Sequence, residues 1–206
     1  VRLSEARRAQ PQDDLATIIA NAKIDGGQIP EHEANGYYMI IATAGHDTTS
    51  ASTAGGLLGL IENPAQMTAF RNDVEGLMPT AIDEMIRWAS PVRHFMRTAT
   101  TDAEIGGQKI KAGESMILWY PSANRDESVY SDPENFRIDR NESKQIAFGF
   151  GAHVCLGQHL ARMEMSSLFR KLLQRVEHIE LAGEPQYTQA VFVGGLKSLP
   201  ICYRMK

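Results

Sequence analysis

The sequence predicts a mainly α-helical fold with a small β region. Three observations carry this prediction. Apolar residues recur at helical spacing through the first 90 residues, the period changes to two between Arg97 and about Tyr120, and helical spacing returns after Gly157. No internal repeat or low-complexity tract interrupts this order.

Two helices are predicted before residue 63. Asp13 or Asp14 can cap the first, which carries Leu15, Ile18, Ile19 and Ala22 on one face, and Gly26-Gly27 would end it. The second begins after Pro30 and continues to Glu62, which gives a length of roughly 45 Å at 1.5 Å per residue. Its middle is apolar on nearly all sides, so we expect it to be buried.

The remaining elements follow from capping and turn signals. Asn63-Pro64 starts a short helix with Met67, Phe70 and Val74, and another helix runs from about Pro79 to Ala89, where Ser90-Pro91 ends it. Glycine pairs separate short strands between residues 97 and 120. Residues 121–148 form a long irregular segment, which is often functional. Gly194-Gly195 indicates a closing hairpin.

Composition and charge exclude several classes of protein. Hydrophobic residues make up 43% and charged residues 22%, as in ordinary globular domains, and the net charge of -4 lacks the basic excess of nucleic-acid binders. The two cysteines, Cys155 and Cys202, are too few for a disulfide framework. No signal peptide and no apolar run of membrane-spanning length is visible. We therefore expect a cytoplasmic protein that has no nucleic-acid or membrane partner in this segment.

A polar cluster interrupts the apolar middle of the long helix. It reads Ala44-Gly45-His46-Asp47-Thr48-Thr49. Buried polar groups cost several kcal/mol unless they are satisfied, and a glycine within a helix costs up to about 1 kcal/mol relative to alanine. Thr48 can donate a hydrogen bond to the carbonyl of Ala44 and open the helix locally. The cluster therefore indicates a functional site, and a satisfied kink without chemistry is the alternative.

Two further patterns carry candidate chemistry. Glu84 and Arg87 share one helix face, which taken alone favours an ordinary surface ion pair. The second pattern is the segment Phe148-Gly149-Phe150-Gly151-Ala152-His153-Val154-Cys155-Leu156-Gly157. Its glycines let the backbone approach a flat partner, and Cys155 precedes a helix whose N-terminus favours a thiolate. A lone cysteine is usually a small core residue, but this context favours an axial thiolate ligand to heme iron over a zinc site.

Taken together, these motifs resemble the C-terminal half of a cytochrome P450. The family's order is matched by the Ala44–Thr49 cluster, the Glu84/Arg87 pair, the segment Ser122–Asp126 with Asp132-Pro133 and Phe136–Arg140, and the cysteine loop. The amino-acid sequences of several segments are most similar to those of soluble bacterial members that hydroxylate monoterpenes such as α-terpineol. The resemblance implies the cytochrome P450 fold, with residues 1–206 as the C-terminal part of a single domain whose N-terminal half is absent from this chain.

The resemblance also implies roles for individual residues. Cys155 would ligate the iron of heme b (iron protoporphyrin IX), and Asp47 with Thr48 would deliver protons to bound dioxygen. Glu84, Arg87 and Arg140 would form a structural triad. The other residues that the resemblance places at the heme are Ala44, Gly45, Arg97, Phe148, Gly149, His153 and Gly157, with Arg97 and His153 beside the propionates. The residues that it places at the substrate pocket are Val92, Phe95, Phe192 and Val193.

The implied activity is that of a heme-thiolate monooxygenase acting on a small apolar substrate, terpene-like or alkylarene-like. Electrons would come from NAD(P)H through a reductase and a [2Fe-2S] ferredoxin. The alternatives are a steroid-type or fatty-acid-type substrate, a peroxide-using relative, and a heme-binding fragment without turnover. The peroxide-using relatives lack the acid–alcohol pair, which argues against that alternative. Arg162 and His159 either face a redox partner or belong to a solvated helix face.

Overall fold

The described residues, 2–142 and 145–206 of a computed structural model, form seven α-helices and ten short strands. They divide into two compact units, Val1–Asp47 and Thr48–Lys206, and the boundary lies inside the longest helix. A mainly helical chain with small two-stranded sheets agrees with the predicted fold class. In the described part of the chain, no helix has both the length and the apolar character needed to cross a bilayer.

The first unit contains helices α1 (Arg2–Ala9) and α2 (Leu15–Ala20) and strands β1 (Lys23–Ile24) and β2 (Gly27–Gln28). Asp14, rather than Asp13, caps α2, because its carboxylate accepts a hydrogen bond from the Thr17 amide at 2.7 Å. The same bond lowers the pKa of Asp14. The predicted end of this helix at Gly26-Gly27 is wrong. The helix ends at Ala20, and the glycines form the turn between β1 and β2, where Gly26 has a φ of 80°.

The long helix α3 spans Glu31–Glu62, as predicted from Pro30 and Pro64. The expectation that its apolar middle is buried is wrong for this chain, since Tyr37, Met39, Ile40 and Ile41 are exposed. The reason is the size of the first unit. Its small core covers only the side of α3 that carries Ala34 and Tyr38.

The second unit adds α4 (Pro64–Asn72) and α5 (Val74–Ala89), with α4 starting at the proline as predicted. The boundary between them differs from the prediction, because Val74 belongs to α5 and Pro79 lies inside it. Asp73 explains the difference: its backbone N–H closes α4, and its carboxylate accepts a hydrogen bond from the Gly76 amide, which starts α5. Ser90, in the left-handed conformation at φ 38°, ends α5 where the sequence predicts.

Short antiparallel strands follow α5. Strands β3 (His94–Thr98) and β6 (Ser115–Trp119) pair with each other, as do β4 (Ala103–Ile105) and β5 (Gln108–Ile110). Helix α6 (Tyr120–Ala123) is a single turn, and α7 (Gln158–Arg175) leads into β7 (Val176–Leu181). The predicted closing hairpin is present as β8 (Gln186–Tyr187) and β9 (Leu196–Ser198), and β10 (Ile201–Met205) pairs with β7.

The core of the second unit lies where α3, α5 and α7 supply buried apolar side chains, among them Leu60, Ile82, Met85 and Phe169. Glycines on α3 make this packing close. A methyl group on Gly56 would lie 2.5 Å from the side chain of Met85, and one on Gly59 would lie 2.9 Å from the ring of Phe136. The packed core fixes α5, and α5 carries the ionic network described next.

Candidate functional site

Glu84 lies at the centre of a buried ionic network. Its carboxylate accepts two hydrogen bonds from Arg87, at 2.6 and 2.8 Å, and one from Arg140 at 3.2 Å. The side chains of the three residues are 0%, 2% and 3% exposed. The Glu84/Arg87 spacing on its own predicts an ion pair at the surface, and this prediction is therefore wrong. The backbone amide of Arg137, which the sequence did not single out, donates a fourth hydrogen bond to Glu84 at 2.8 Å.

The two arginines also order the irregular segment that follows α6. Their guanidinium groups donate hydrogen bonds to five backbone carbonyls, those of Asn124, Ser131, Asp132, Pro133 and Asn135. A buried carbonyl without a partner costs free energy, and here charged donors supply the partners that a helix or sheet would otherwise provide. Residues 124–135 are thus held by the ionic network instead of by regular structure.

The segment before α7 forms a closed loop around Cys155. The amide of Cys155 donates to the carbonyl of Phe148 at 2.8 Å, and the amide of Gly149 donates to the carbonyl of Ile146 at 2.8 Å. Gly149 and Gly151 adopt φ values of 73° and 70°, in the region that side-chain-bearing residues rarely enter. The glycines of this motif are therefore required by the turn itself.

The side chains around Cys155 fit a heme. Cys155 is exposed at the head of α7, and a thiolate is one of the protein ligands that bind heme iron. Its neighbours are apolar and open, since Phe150 is 88% and Leu156 is 89% exposed. Gly157 adds no bulk, and a methyl group built there would come within 3.9 Å of the Cys155 sulfur. A cysteine sulfur within an apolar surface matches the face of an iron porphyrin, whose iron it could bind as a thiolate.

Two candidate hydrogen-bond donors to the heme propionates lie on separate elements. Arg97 is half-buried on β3, and its guanidinium donates only to the neighbouring carbonyl of Met96 among the described residues. His153 is exposed in the single 3-10 turn of the cysteine loop, Gly151–His153. Both side chains are placed where a ligand can reach them.

Arg162 does not present a free cation to a partner. Its guanidinium lies 2.8 Å from the carboxylate of Asp83 and 4.6 Å from the centre of the Phe148 ring. It therefore joins α7 to α5 and packs on the first residue of the cysteine loop. His159 is exposed, and its contact with a redox partner or its place on a solvated helix face stays a prediction.

The four predicted pocket residues come together through the chain's C-terminal region. Val92 and Val193 form an isolated antiparallel bridge, and the amide of Arg93 donates to the carbonyl of Phe192 at 2.9 Å. The Phe95 and Phe192 rings meet edge to face with centroids 5.4 Å apart, and both remain partly exposed. This arrangement provides an apolar wall, and nothing in the local sequence signals that residues 92–95 contact residues 192–193.

The polar cluster lies on α3, which runs through Ala44–Thr49 without interruption. Within the first unit, the Asp47 carboxylate lies 2.7 Å from Nδ1 of His46, and both side chains are exposed. The sequence assigned no role to His46. Apart from its chain neighbours and the backbone of α3 itself, no described residue has an atom within 4 Å of a methyl group built on Gly45, and Ala44 is also exposed. Thr48, the next residue, is half-buried.

Comparison with known proteins agrees with this arrangement. The sequence model of the family described as Cytochrome P450 matches residues 2–193. The chain is 49% identical over 195 residues to "Cytochrome P450-terp" from Pseudomonas sp., which covers 95% of this chain and 45% of that protein. It is 40% identical over 199 residues to "Steroid C26-monooxygenase" from Mycolicibacterium smegmatis, covering 96% of this chain and 49% of that protein.

Solved structures show the same likeness. CYP108D1 from Novosphingobium aromaticivorans aligns with a TM-score of 0.94 and 48% identity, over 98% of this chain and 49% of that chain. CYP268A2 from Mycobacterium marinum, solved in complex with pseudoionone, aligns with a TM-score of 0.93 and 37% identity, over 97% of this chain and 48% of that chain. The chain spans about half the length of the relatives that it matches.

Proposed function

The chain belongs to the cytochrome P450 family, and on that premise we propose that it forms the heme-thiolate portion of a monooxygenase. The observation that supports this most strongly is the closed loop that presents Cys155, exposed among apolar side chains, at the head of α7. A heme held there through the Cys155 sulfur would supply the oxygen activation, since an anionic thiolate pushes electron density toward iron and favours O–O cleavage. Members of the family bind heme b in this way.

The proposed reaction inserts one atom of O₂ into a C–H bond, and the second atom leaves as water. Two electrons come from NAD(P)H, carried by a reductase and a [2Fe-2S] ferredoxin, and two protons come from solvent. Identity of 49% to "Cytochrome P450-terp" supports an enzyme of this family, and the electron donors are part of the proposal. A cytoplasmic location is part of the proposal, and the two free cysteines support it.

The acid and the alcohol on α3 would handle the protons. The Asp47 carboxylate is exposed and would relay protons from solvent, and Nδ1 of His46 lies 2.7 Å from it. The Thr48 hydroxyl would hold a proton toward the oxygen that departs as water. Gly45 and Ala44 would leave space for dioxygen, since neither side chain fills that face of α3.

Charged and apolar groups would hold the remaining ligands. Arg97 and His153 would donate hydrogen bonds to the two propionates, where charge-assisted bonds are strongest. Val92, Phe95, Phe192 and Val193 would bind the substrate by apolar contact, at roughly 25 cal/mol per Å² buried. The four named side chains are apolar, which favours a terpene-like or alkylarene-like molecule. A steroid or lipid is the second candidate, favoured by 40% identity to "Steroid C26-monooxygenase" and 39% to "Methyl-branched lipid omega-hydroxylase".

The thiolate assignment predicts a spectrum. In the full-length protein, reduction under carbon monoxide should give the red-shifted Soret band of thiolate-ligated heme, and Cys155→Ser should abolish it. Cys202→Ser is the matched control, because Cys202 is also free and exposed but lies on β10, and it should leave the band unchanged. A wild-type protein without that band would refute the proposed function. Terpenes, alkylbenzenes and steroids should then be compared by the change in iron spin state on binding.

The proton-delivery assignment predicts uncoupling. Positioned proton donors contribute roughly 10²–10⁴-fold to such steps, so Thr48→Ala should lower hydroxylated product steeply while NAD(P)H consumption continues. Hydrogen peroxide should appear in place of product. Thr48→Ser, which keeps the hydroxyl, should restore most of the coupling. Product per NAD(P)H that is equal in wild type and Thr48→Ala would remove Thr48 from the mechanism.

A further inference from the structure

A buried amide joins the end of α5 to the base of the cysteine loop. Asn124 is 0% exposed, and both ends of its side chain are satisfied. Its Nδ2 donates to Oγ of Ser90 at 2.8 Å, and its Oδ1 accepts from the backbone amide of Ile146 at 2.8 Å. Ser90 in turn donates to the carbonyl of Arg87 at 2.7 Å, which completes a chain of three hydrogen bonds.

This chain of hydrogen bonds ends at Ile146, the residue on which the cysteine loop closes. The amide of Ile146 is held by Asn124, and the carbonyl of Ile146 accepts from Gly149. The next residues are Ala147 and Phe148, and the carbonyl of Phe148 accepts from Cys155. Ile146 is therefore tied on one side to Asn124 and on the other to the turn that presents the thiol.

The backbone of Asn124 is fixed by the ionic network. Its carbonyl accepts a hydrogen bond from Arg87 at 2.7 Å, and its amide donates to the carbonyl of Tyr120 at 2.9 Å. Asn124 thus links the ionic network to the loop, because its backbone carbonyl accepts from Arg87 and its side chain accepts from the Ile146 amide. Few side chains can do this, because the buried site requires one acceptor and one donor at fixed positions.

Ser90 adds a second indication that this connection is specific. It has a φ of 38°, in the left-handed region where glycine is usual, and yet its hydroxyl is required by both Arg87 and Asn124. A serine in this conformation costs backbone energy, and the two buried hydrogen bonds offset that cost.

We propose that Asn124 is a positioning residue for the cysteine loop, and that it sets the location of Cys155 relative to α5 through Ile146. This inference rests on the proposed function, since it takes Cys155 as the heme ligand. Asn124 touches neither the thiol nor any ligand. Its effect on the iron would be transmitted by the loop backbone.

The test uses Asn124→Leu, which has similar volume and no polar atoms, and Asn124→Asp, which keeps an acceptor for the Ile146 amide. In Asn124→Asp the Ser90 hydroxyl can turn and donate to the carboxylate. Leu173→Ala is the control, because Leu173 is a buried core residue of α7 without contact to the chain of hydrogen bonds. All variants are made in the full-length protein.

The first measurement is amide hydrogen exchange of the heme-free protein, by mass spectrometry of peptides that cover residues 145–155. Loss of one buried hydrogen bond should speed exchange there on the order of tenfold in Asn124→Leu, with a smaller change in Asn124→Asp. Leu173→Ala should raise exchange in α7 instead. The second measurement is the fraction of the heme-loaded protein that shows the thiolate Soret band, which should fall in the same order.

Two results would overturn the proposal. One is loop exchange and a thiolate fraction in Asn124→Leu that equal those of the wild type. The other is a loop effect in Leu173→Ala as large as that in Asn124→Leu, because it would mean that general destabilisation explains both. If Asn124→Leu does not fold, Asn124→Asp decides alone by the ratio of loop to core exchange. A wild type without the thiolate band would refute the proposed function instead, while the exchange result would still judge the role of Asn124 in the loop.

Discussion

Glu84 and Glu75 lie on the same helix, α5, and each accepts two hydrogen bonds from one arginine in nearly the same geometry. Glu84 binds Arg87 at 2.6 and 2.8 Å, and Glu75 binds Arg170 at 2.7 and 2.8 Å. They differ in burial, since the Glu84 side chain is 0% exposed and the Glu75 side chain is 69% exposed. Glu84 also has Arg140 and a backbone amide as partners, whereas the rest of the Glu75 carboxylate faces solvent.

This difference shows that contact geometry alone does not tell what an ion pair does. An exposed pair gains little, because water and salt screen it and two long side chains lose freedom. A buried carboxylate must be compensated on all sides, and removal of one partner leaves charges without solvent. The same chemistry is therefore a minor surface contact at one end of α5 and the support of the irregular segment at the other.

The largest expected effect comes from breaking the buried network. Glu84→Gln keeps the shape but leaves the guanidinium groups of Arg87 and Arg140 uncompensated, so the free energy of unfolding should fall by about 3–5 kcal/mol. Urea denaturation of the full-length protein at neutral pH measures it. The matched control is Glu75→Gln, which should change the midpoint least. Hydrogen bonds from Arg170 lower the pKa of Glu75, so its small contribution is present at neutral pH and lost in acid. Equal losses in the two variants would contradict the comparison.

A second contrast between packed and open sites lies on α3. Gly56→Ala would place a methyl group 2.5 Å from the Met85 side chain, so overpacking should cost about 1–3 kcal/mol. Gly36→Ala meets no atom within 4 Å, and the better helix propensity of alanine should raise stability by up to about 1 kcal/mol. Thermal or urea unfolding compares the two variants. A Gly56→Ala protein that gains stability like Gly36→Ala would show that the Met85 side chain can move to accommodate the methyl group, and it would contradict the expected overpacking.

The smallest expected effect sharpens the buried side of the comparison. The Tyr130 ring lies 5.2 Å from the Arg87 guanidinium, but its buried hydroxyl has no hydrogen-bond partner in the described part of the chain. Tyr130→Phe keeps the ring and removes the unsatisfied group, so stability should stay equal or rise by up to about 1 kcal/mol. Burial raises the pKa of Tyr130 above its ordinary value of 10.0, so the wild type should lose stability as pH rises past about 10, and Tyr130→Phe should lose less. A clear loss of stability in Tyr130→Phe at neutral pH would show that the hydroxyl is satisfied.

Several structural features could be predicted from neighbouring residues alone. Asp14 as a cap, the limits of α3 between two prolines, and the left-handed end of α5 at Ser90 all depend on preferences that act within about one helical turn. The two glycines before Cys155 likewise announce a turn with positive φ. The predicted start of α5 at Pro79 is wrong, since the capping carboxylate of Asp73 starts the helix at Val74.

Other features depend on which distant segments meet. Glu84 and Arg140 are 56 residues apart, Arg162 contacts Asp83 across 79 residues, and Val193 bridges to Val92. The family resemblance points to the triad and includes Asn124 in the segment Ser122–Asp126, but no local pattern indicates the bond from Ile146 to Asn124 or the pairing of His46 with Asp47. The exposure of the α3 middle also had no local signal, because burial depends on what else packs there.

The amino-acid sequence thus determined the order of helices and strands, the turn that presents Cys155 and the family to which the chain belongs. Backbone preferences and capping act over a few residues, so they can be recognised without a structure. Only the tertiary structure decided that Glu84 is the centre of a buried ionic network while Glu75 is solvated. It also decided that Asn124 connects this network to the cysteine loop. Both outcomes depend on desolvation, and a side chain loses its water only when remote parts of the chain close over it.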